Sequence, residues 1–224
     1  MTLCVYALTT QAPRALRLRG LERELLRVVT MGRVSAIVGE LRRAPGNTYE
    51  RLTLYDAVMH RLSDRYAAIL PVRFGTCLTR DELEGILRER QQSFRRALRH
   101  VRGRVQMIVR VVDRGPDKVR ATSVSDRAES VARALSGSRK SGVEYLRRRA
   151  AEATAPAFDP IRDAVRRWVR DERIETRDRI ASVYHLIPRG AAEAYRTAAV
   201  TRANEVGLRA TISGPFPPYA FTEW

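Results

Sequence analysis

Short blocks of apolar residues occur along the first part of the chain, and each block predicts one secondary-structure element. Leu3–Leu8 and Val34–Val38 are rich in β-forming residues and predict strands. Apolar residues then recur at spacings of three and four, which predicts an amphipathic helix that ends before Pro71. The apolar face of this helix consists of Leu52, Tyr55, Met59, Leu62, Tyr66 and Ile69.

The next block predicts a strand, a helix and a further strand. Val72–Leu78 is apolar around one arginine and predicts a strand. Thr79 followed by Glu82 forms a capping box, so a helix begins there and continues to Gly103. Its apolar stripe contains Leu83, Leu87, Phe94, Leu98 and Val101. Apolar residues at alternate positions of Arg104–Val112 predict the fourth strand of the first half.

The second half predicts helices and strands in alternation. A helix is expected at Val143–Ala153, and Asp159 with Pro160 predicts the N-cap and first turn of another. Its apolar face is predicted to hold Ile161, Val165, Trp168 and Val169. Ile180–Ile187 and Leu208–Ser213 predict strands on either side of a further helix. That helix is marked by Ala192, Tyr195, Ala199, Ala203 and Val206.

This order of elements predicts an α+β fold with two small domains. Residues 1–114 predict a ferredoxin-like domain, with two helices on one face of a largely antiparallel sheet. Residues 115–142 are polar and rich in serine, arginine and alanine, which predicts a linker or a weak helix. Residues 143–224 predict a second, smaller α+β domain that is closed by a Pro-rich C-terminal tail.

The tail begins at Gly214 and combines prolines with aromatic residues. Proline fixes φ and lacks an N–H donor, so the tail cannot extend a helix or lie in a central strand. Its aromatic rings are too apolar to remain in water, and we expect the tail to fold back onto its own domain. Its candidate structural and contact residues are Pro215, Phe216, Pro217, Pro218, Tyr219 and Phe221.

The chain carries a large positive charge, with 42 Lys and Arg against 25 Asp and Glu in 224 residues and a formal charge of +17. Three interpretations fit this balance: a nucleic-acid footprint, an ordinary solvated surface in an organism that favours Arg codons, or complementarity to a large acidic protein surface. The arginines are spread over most predicted helices, and acidic residues are interleaved with them. This spread disfavours nucleic acid as the partner, which we keep as the alternative.

Cys4 and Cys77 both lie in apolar, strand-like runs, which predicts buried free thiols. A disulfide framework or a zinc site would need more ligands. No run approaches the ~18 apolar residues of a membrane helix, and the N-terminus lacks the basic region of a signal peptide. The sequence therefore predicts a cytoplasmic protein without a membrane segment.

The sequence carries no recognisable motif for catalysis or for a cofactor. It has no Gly-rich phosphate loop, no dinucleotide-binding turn after a strand and no nucleophile elbow. His60, His100 and His185 are scattered and lack metal-ligand spacing with cysteine or carboxylates. We therefore expect a protein that is not an enzyme and binds neither a cofactor nor a metal.

One charged residue, Arg73, lies inside an otherwise apolar block beside Phe74. Two interpretations remain open. The guanidinium pairs with a carboxylate of the same chain, or it makes a fixed contact with an acidic or carbonyl-rich partner. Arginine suits both roles because its fork stays charged and can bind two oxygens at once.

Three motifs together resemble the gas vesicle protein family GvpF/GvpL. They are Leu70–Thr76, Gly142–Glu152 and the tail Gly214–Phe221, and they occur in the expected order over nearly the whole chain. The block Pro-Val-Arg-Phe-Gly-Thr and the tail Gly-Pro-Phe-Pro-Pro-Tyr are specific in combination. The family more often has Trp where Phe216 stands and Ser where Ala220 stands.

The resemblance implies a non-enzymatic accessory or minor structural protein of gas vesicles, the gas-filled shells that give cells buoyancy. It also implies an N-terminal ferredoxin-like domain and a C-terminal α+β domain. The expected partner is the small hydrophobic major shell protein, together with other gas vesicle accessory proteins. Binding would assist early assembly, in the cytoplasm before the vesicle forms, by keeping the shell subunit from aggregating.

Overall fold

Two antiparallel β-sheets, each with α-helices packed against it, make up the described part of the chain, which in this computed structural model comprises residues 2–10, 16–112, 158–177 and 180–222. The strands are β1 (Thr2–Thr9), β2 (Arg27–Met31), β3 (Val34–Leu41), β4 (Ile69–Pro71), β5 (Cys77–Leu78), β6 (Arg104–Val112), β7 (Asp171–Arg177), β8 (Ile180–Pro188) and β9 (Ala210–Phe216). The helices are α1 (Tyr49–Arg65), α2 (Arg80–Glu89), α3 (Gln91–Val101), α4 (Asp159–Val165) and α5 (Ala192–Glu205). The predicted α+β class is confirmed, and the predicted linker 115–142 and helix Val143–Ala153 lie outside the described residues.

The first sheet has the strand order β2-β3-β1-β4, and β5 pairs with the start of β1. The strands predicted at Leu3–Leu8 and Val34–Val38 are confirmed as parts of β1 and β3. The sequence analysis missed β2, a short edge strand that forms a hairpin with β3. Gly32 makes the tight turn of this hairpin possible because its φ of +60° is a conformation that glycine adopts without steric cost.

The strand predicted at Val72–Leu78 is wrong. The chain forms β4, then a turn at residues 72–76, and then the two-residue strand β5. Gly75 has a φ of +80°, and the amide and hydroxyl of Thr76 both donate to the carbonyl of Arg73, at 3.1 and 2.7 Å. Helix α1 also ends at Arg65, so Ile69 lies in β4 and not on the helix.

The helices of the first half lie on both faces of the first sheet, so the prediction that they share one face is wrong. Helix α1 packs on one face through Tyr55, Met59 and Leu62. Helices α2 and α3 cover the other face with the predicted stripe, namely Leu83, Leu87, Phe94, Leu98 and Val101. The capping box of Thr79 and Glu82 is confirmed, but the single helix predicted after it is divided at Arg90.

Strand β6 belongs to the second sheet, whose order is β7-β8-β6-β9, and so it is not the fourth strand of the first sheet. The described elements β6, α4, β7, β8, α5 and β9 follow the β-α-β-β-α-β order that characterises ferredoxin-like folds. The sequence predicts a ferredoxin-like domain in the first half instead. There, residues 16–26 of the connection between β1 and β2 contain no helix, and the ferredoxin-like assignment of the first half is not confirmed.

Helices α4 and α5 cover one face of the second sheet. The alternating apolar residues of β6 face them, and the shared core holds Val105, Met107, Val109, Val111, Ile161, Val165, Tyr195 and Ala199. Residue Phe158 is the N-cap of α4, so the N-cap predicted at Asp159 is wrong by one position. The sequence analysis missed the edge strand β7 because Asp171–Arg177 is almost entirely polar. Strand β9 is the opposite edge and carries Pro215 near its end.

The two halves of the molecule share apolar core and backbone hydrogen bonds. Leu186 of β8 and Phe221 of the tail belong to the same buried cluster as α2 and α3. The amide of Gly103 donates to the carbonyl of Ala67 at 2.6 Å, and Arg189 donates to the carbonyl of Ser63 at 2.7 Å. These contacts tie the start of β6 and the end of β8 to the last turn of α1 and to the residues that follow it.

The two cysteines form a disulfide, so the prediction of free thiols is wrong. Cys4 of β1 and Cys77 of β5 lie directly opposite each other in the antiparallel pair, with Cα atoms 4.0 Å apart. The bond joins residues that are 73 positions apart in the sequence. Because the two residues are the only cysteines of the chain, their pairing removes the cysteine-based argument for a cytoplasmic location.

Candidate partner-contact surface

The tail, residues 214–222, leaves the edge of the second sheet and crosses onto the first half. Pro215 is exposed at the end of β9, whereas Pro217 and Pro218 are buried. The amide of Ala220 donates to the side-chain oxygen of Gln106 at 2.7 Å. Phe221 is only 4% exposed and packs in the core of the first half. The tail therefore lies across the boundary between the two halves.

Two aromatic rings of the tail contact helix α1. The hydroxyl of Tyr219 donates to Oδ1 of Asp56 at 2.9 Å, and the ring of Phe216 lies edge-on to that of His60, with centroids 6.0 Å apart. Burial raises the pKa of Tyr219 above its usual value, and the hydrogen bond to the negatively charged Asp56 raises it further. The tyrosine is therefore held in its neutral form against the helix.

The turn at residues 72–76 presents one exposed charge and one half-buried ring. Arg73 is exposed, and its guanidinium makes no ion pair or hydrogen bond within the described residues. The predicted internal carboxylate partner is therefore not found there. Phe74 packs edge-on against Tyr55 of α1, with centroids 5.4 Å apart. The hydroxyl of Tyr55 donates to the carbonyl of Val72, which anchors the turn to the helix.

The fold brings the turn and the tail together on helix α1. Phe74 and Tyr219 both pack against the buried cluster that contains Tyr55. We call this region the turn–tail surface and define it by Arg73, Phe74, Asp56, His60, Phe216 and Tyr219. The sequence analysis identified the turn and tail members but not Asp56 and His60. Their four-residue spacing could have indicated that they are neighbours on one helix face. In the structure, the His60 ring nitrogen lies 3.3 Å from the Asp56 carboxylate.

This surface combines a charged group with apolar area. Its exposed cation can pair with a carboxylate or carbonyl group, and its half-buried rings offer apolar area beside it. Asp56 already accepts the hydroxyl of Tyr219, and the rings are held by the helix. The arrangement therefore resembles a preformed patch for an apolar partner with a polar or acidic edge.

A separate polar cluster surrounds the buried ring of His185 in the second sheet. The ring of His185 is 0% exposed, with Nδ1 at 2.7 Å from the hydroxyl of Tyr195 and Nε2 at 2.7 Å from the carboxylate of Glu172. A neutral imidazole that carries its proton on Nε2 satisfies both contacts. Hydrogen bonds from His185 and from Arg162 lower the pKa of Glu172, against the effect of burial. We interpret the cluster as structural because all its polar groups are paired.

Within the described ranges, no three histidine, cysteine or carboxylate side chains are grouped in a way that could hold a metal ion. Among the helices that the structure describes, none is both long and apolar enough to cross a membrane.

Comparison with solved structures shows the same fold in two gas vesicle proteins. The crystal structure of GvpF from Anabaena sp. PCC7120 matches with a TM-score of 0.72 and 13% identity, covering 100% of this chain and 98% of that one. The crystal structure of GvpF from Microcystis aeruginosa matches with a TM-score of 0.74 and 13% identity, covering 100% and 99%. A search among curated proteins finds no match.

The match to a protein family covers almost the whole sequence. The family model described as gas vesicle synthesis protein GvpL/GvpF matches residues 2–223. The resemblance that the turn and tail motifs indicated is thereby confirmed, and the chain belongs to the GvpL/GvpF family of gas vesicle synthesis proteins.

Proposed function

We propose that this protein is a non-enzymatic accessory or minor structural protein of gas vesicles, which binds the hydrophobic major shell protein and assists gas vesicle assembly. Family membership supports a gas vesicle-related role. The protein would act on the shell subunit in the cytoplasm before the vesicle forms, together with other accessory proteins. A subunit with a water-repelling face aggregates unless that face is covered, and covering it is a task for binding and not for catalysis.

One observation carries the choice of contact surface: the two motifs that resemble the family most closely meet on helix α1. Phe74 of the turn packs against the same buried cluster as Tyr219 of the tail, and Arg73 is the exposed neighbour of Phe74 in the chain. The rings offer apolar contact, and the guanidinium offers a charge to a carboxylate or carbonyl group of the shell protein. The positive charge of the whole chain would favour approach to acidic parts of that partner.

The test is co-expression with the major shell protein followed by pull-down, comparing Arg73→Ala with Arg43→Ala. Arg43 is an exposed loop arginine that is not among the residues of the turn–tail surface, so its replacement removes the same charge. We expect both variants to melt like the wild type, since Arg73 is exposed and its side chain has no partner within the described residues. Only Arg73→Ala should lose shell-protein binding, by about 1–3 kcal/mol, as expected for a charged hydrogen bond.

Equal binding by the two variants would exclude Arg73 from the contact. Absence of binding by the wild type, together with tight binding of duplex DNA, would replace the proposal with the nucleic-acid alternative. A reduced melting temperature for Arg73→Ala would instead indicate an internal role for its side chain.

A further inference from the structure

The disulfide lies at the end of the turn that forms part of the turn–tail surface. Cys77 directly follows Thr76, and its partner Cys4 lies in the central strand β1. Strand β5, which carries Cys77, has only two residues. A strand of this length gains little from its own hydrogen bonds, so the covalent link contributes much of its attachment to the sheet.

The two cysteine residues differ in their exposure to solvent. Cys4 is buried, with 5% of its surface exposed, whereas Cys77 is partly exposed. An external thiolate or a small disulfide can therefore reach Cys77 first, while Cys4 is the internal partner that completes the exchange. This division between an accessible and a resolving cysteine is the arrangement that reversible thiol–disulfide exchange requires.

Apart from the packing of Phe74 against Tyr55, the remaining contacts hold the turn near its two ends. The amide of Val72 donates to the carbonyl of Tyr6, and the amide of Val5 donates to the carbonyl of Thr76, both at 2.9 Å. The segment between these bonds contains Arg73, Phe74 and Gly75 and is partly exposed. Loss of the disulfide would leave the Thr76 end held mainly by single hydrogen bonds, which open locally far more readily than a covalent link.

We propose that Cys4 and Cys77 form a reversible redox switch that orders the turn when oxidised and loosens it when reduced. In the oxidising direction, the Cys77 thiolate attacks a low-molecular-weight disulfide such as oxidised glutathione, forming a mixed disulfide and releasing one thiolate. The Cys4 thiolate then attacks the Cys77 sulfur and releases the second thiolate. Two protein thiols are oxidised, one small disulfide is reduced to two thiols, and the two protons lost by the protein thiols pass to the released thiolates.

This switch is consistent with the sparing use of cysteine in the chain. In reducing compartments, disulfides are rare and are usually transient or redox-sensing, and this protein has a single pair placed beside an exposed turn. The effect of the disulfide on the conformational order of the turn does not require a partner. Its consequence for binding, namely tighter contact in the oxidised state, rests on the proposed function.

The test measures hydrogen exchange of the full chain after incubation with reduced or oxidised glutathione, with thiols counted in parallel. Reduction should expose two thiols and should speed exchange in the peptide that covers residues 72–78 by at least about tenfold, a loss of about 1.4 kcal/mol of local stability. Exchange in α5 should stay unchanged and serves as the internal control. Oxidised glutathione should reverse both changes.

Failure of the disulfide to re-form from the native reduced protein, or equal exchange of the turn in both states, would overturn the proposal. The double variant Cys4→Ser with Cys77→Ser should behave like the reduced protein and should not respond to glutathione. Reduction of the wild type tests the proposal even if this variant folds poorly.

Pull-down of the shell protein in both redox states separates the two proposals. Weaker binding after reduction supports the switch as a regulator of contact, and equal binding in both states excludes that role. A turn that responds to glutathione in a protein that binds the shell protein in neither state would refute the proposed function but not the redox switch.

Discussion

At the residue scale, the buried imidazole of His185 depends on neighbouring side chains for its hydrogen bonds. Glu172 lies directly opposite His185 across the β7–β8 pair, and Arg162 of α4 donates to the same carboxylate oxygen at 3.1 Å. A buried polar group that loses its partner retains the cost of leaving water without the compensating bond. The carboxylate of Glu172 thus satisfies two donors on the inner side of an edge strand.

Replacement of Glu172 by Gln should destabilise the fold by about 1–3 kcal/mol, because a neutral amide is a weaker partner for His185 and Arg162. The lowered pKa of Glu172 means that its contribution is present above the pKa of the unfolded chain and is lost as pH falls through the lower folded pKa. The difference in the free energy of unfolding between wild type and variant should therefore become smaller at acidic pH. Urea denaturation at neutral and acidic pH measures it.

The exposed Glu89→Gln provides the matched control, since it removes a carboxylate that has no partner within the described residues. Equal stability of the Glu172 and Glu89 variants at neutral pH would contradict a structural role for the cluster.

At the scale of the elements, the tail continues from the edge strand β9 and packs against both halves of the molecule. Strand β9 ends at Phe216, and the next residues turn onto β4 and α1. Prolines suit this path because the described residues that follow β9 pair with no strand. The tail also loses little conformational entropy on docking. The guanidinium of Arg196 on α5 also donates to the carbonyl of Gly214, which holds the start of the tail.

A chain that ends at Phe216 should be less stable than the full chain by about 3–5 kcal/mol, the range for losing a buried aromatic side chain. The cut keeps β9 intact but removes Tyr219 and the buried Phe221. Thermal denaturation and binding of a hydrophobic dye measure the loss.

Should the shorter chain melt like the full one and yet fail to bind the shell protein, the tail would be a recognition peptide whose packing contributes little to stability. That result would make recognition of the shell protein, and not structural support, the main role of the tail.

The molecule as a whole joins two sheets through one shared core. Leu186 and Phe221, which come from the second half in sequence, pack with Phe94 and Leu98 of α3. His100 of α3 also lies 2.8 Å from the carboxylate of Asp171 in β7. Because these contacts link the halves at their centre and at their rim, unfolding of either half removes packing from the other.

We therefore expect thermal unfolding of the described parts to occur as one cooperative transition. Differential scanning calorimetry should give equal calorimetric and van't Hoff enthalpies for the oxidised protein. Phe221→Ala removes a ring from the shared cluster and should broaden or divide this transition. Two resolved transitions in the wild type would show that the halves unfold independently.

The net charge is also a property of the whole molecule. With a formal charge of +17, the protein should associate faster with an acidic partner at low salt, because the screening length is only about 10 Å at 0.1 M ionic strength. Stopped-flow measurement with the shell protein should show an association rate that falls with salt and a dissociation rate that changes much less. A dissociation rate that rises steeply with salt would place the charges inside the contact and not around it.

Local chemistry allowed much of this fold to be predicted from the sequence. The capping box of Thr79 and Glu82, the apolar stripe of α3 and the alternation in β6 each depend on neighbouring residues, and the structure confirms them. The prolines of the tail excluded a central strand for the same reason. The turn and tail motifs also identified the family, because the specific order of residues carries that information without any knowledge of contacts.

The tertiary structure decided what depends on distant residues. From its sequence, strand β6 could pair with either sheet. Its alternating pattern indicates which face is apolar, but it does not indicate which strands lie beside it. The pairing of Cys4 with Cys77 and the meeting of Phe74 with Tyr219 likewise require residues far apart in sequence to be brought together. The edge strand β7 lacks an apolar pattern because it is held by backbone pairing with β8 and by polar side-chain contacts, such as that of Glu172 with His185.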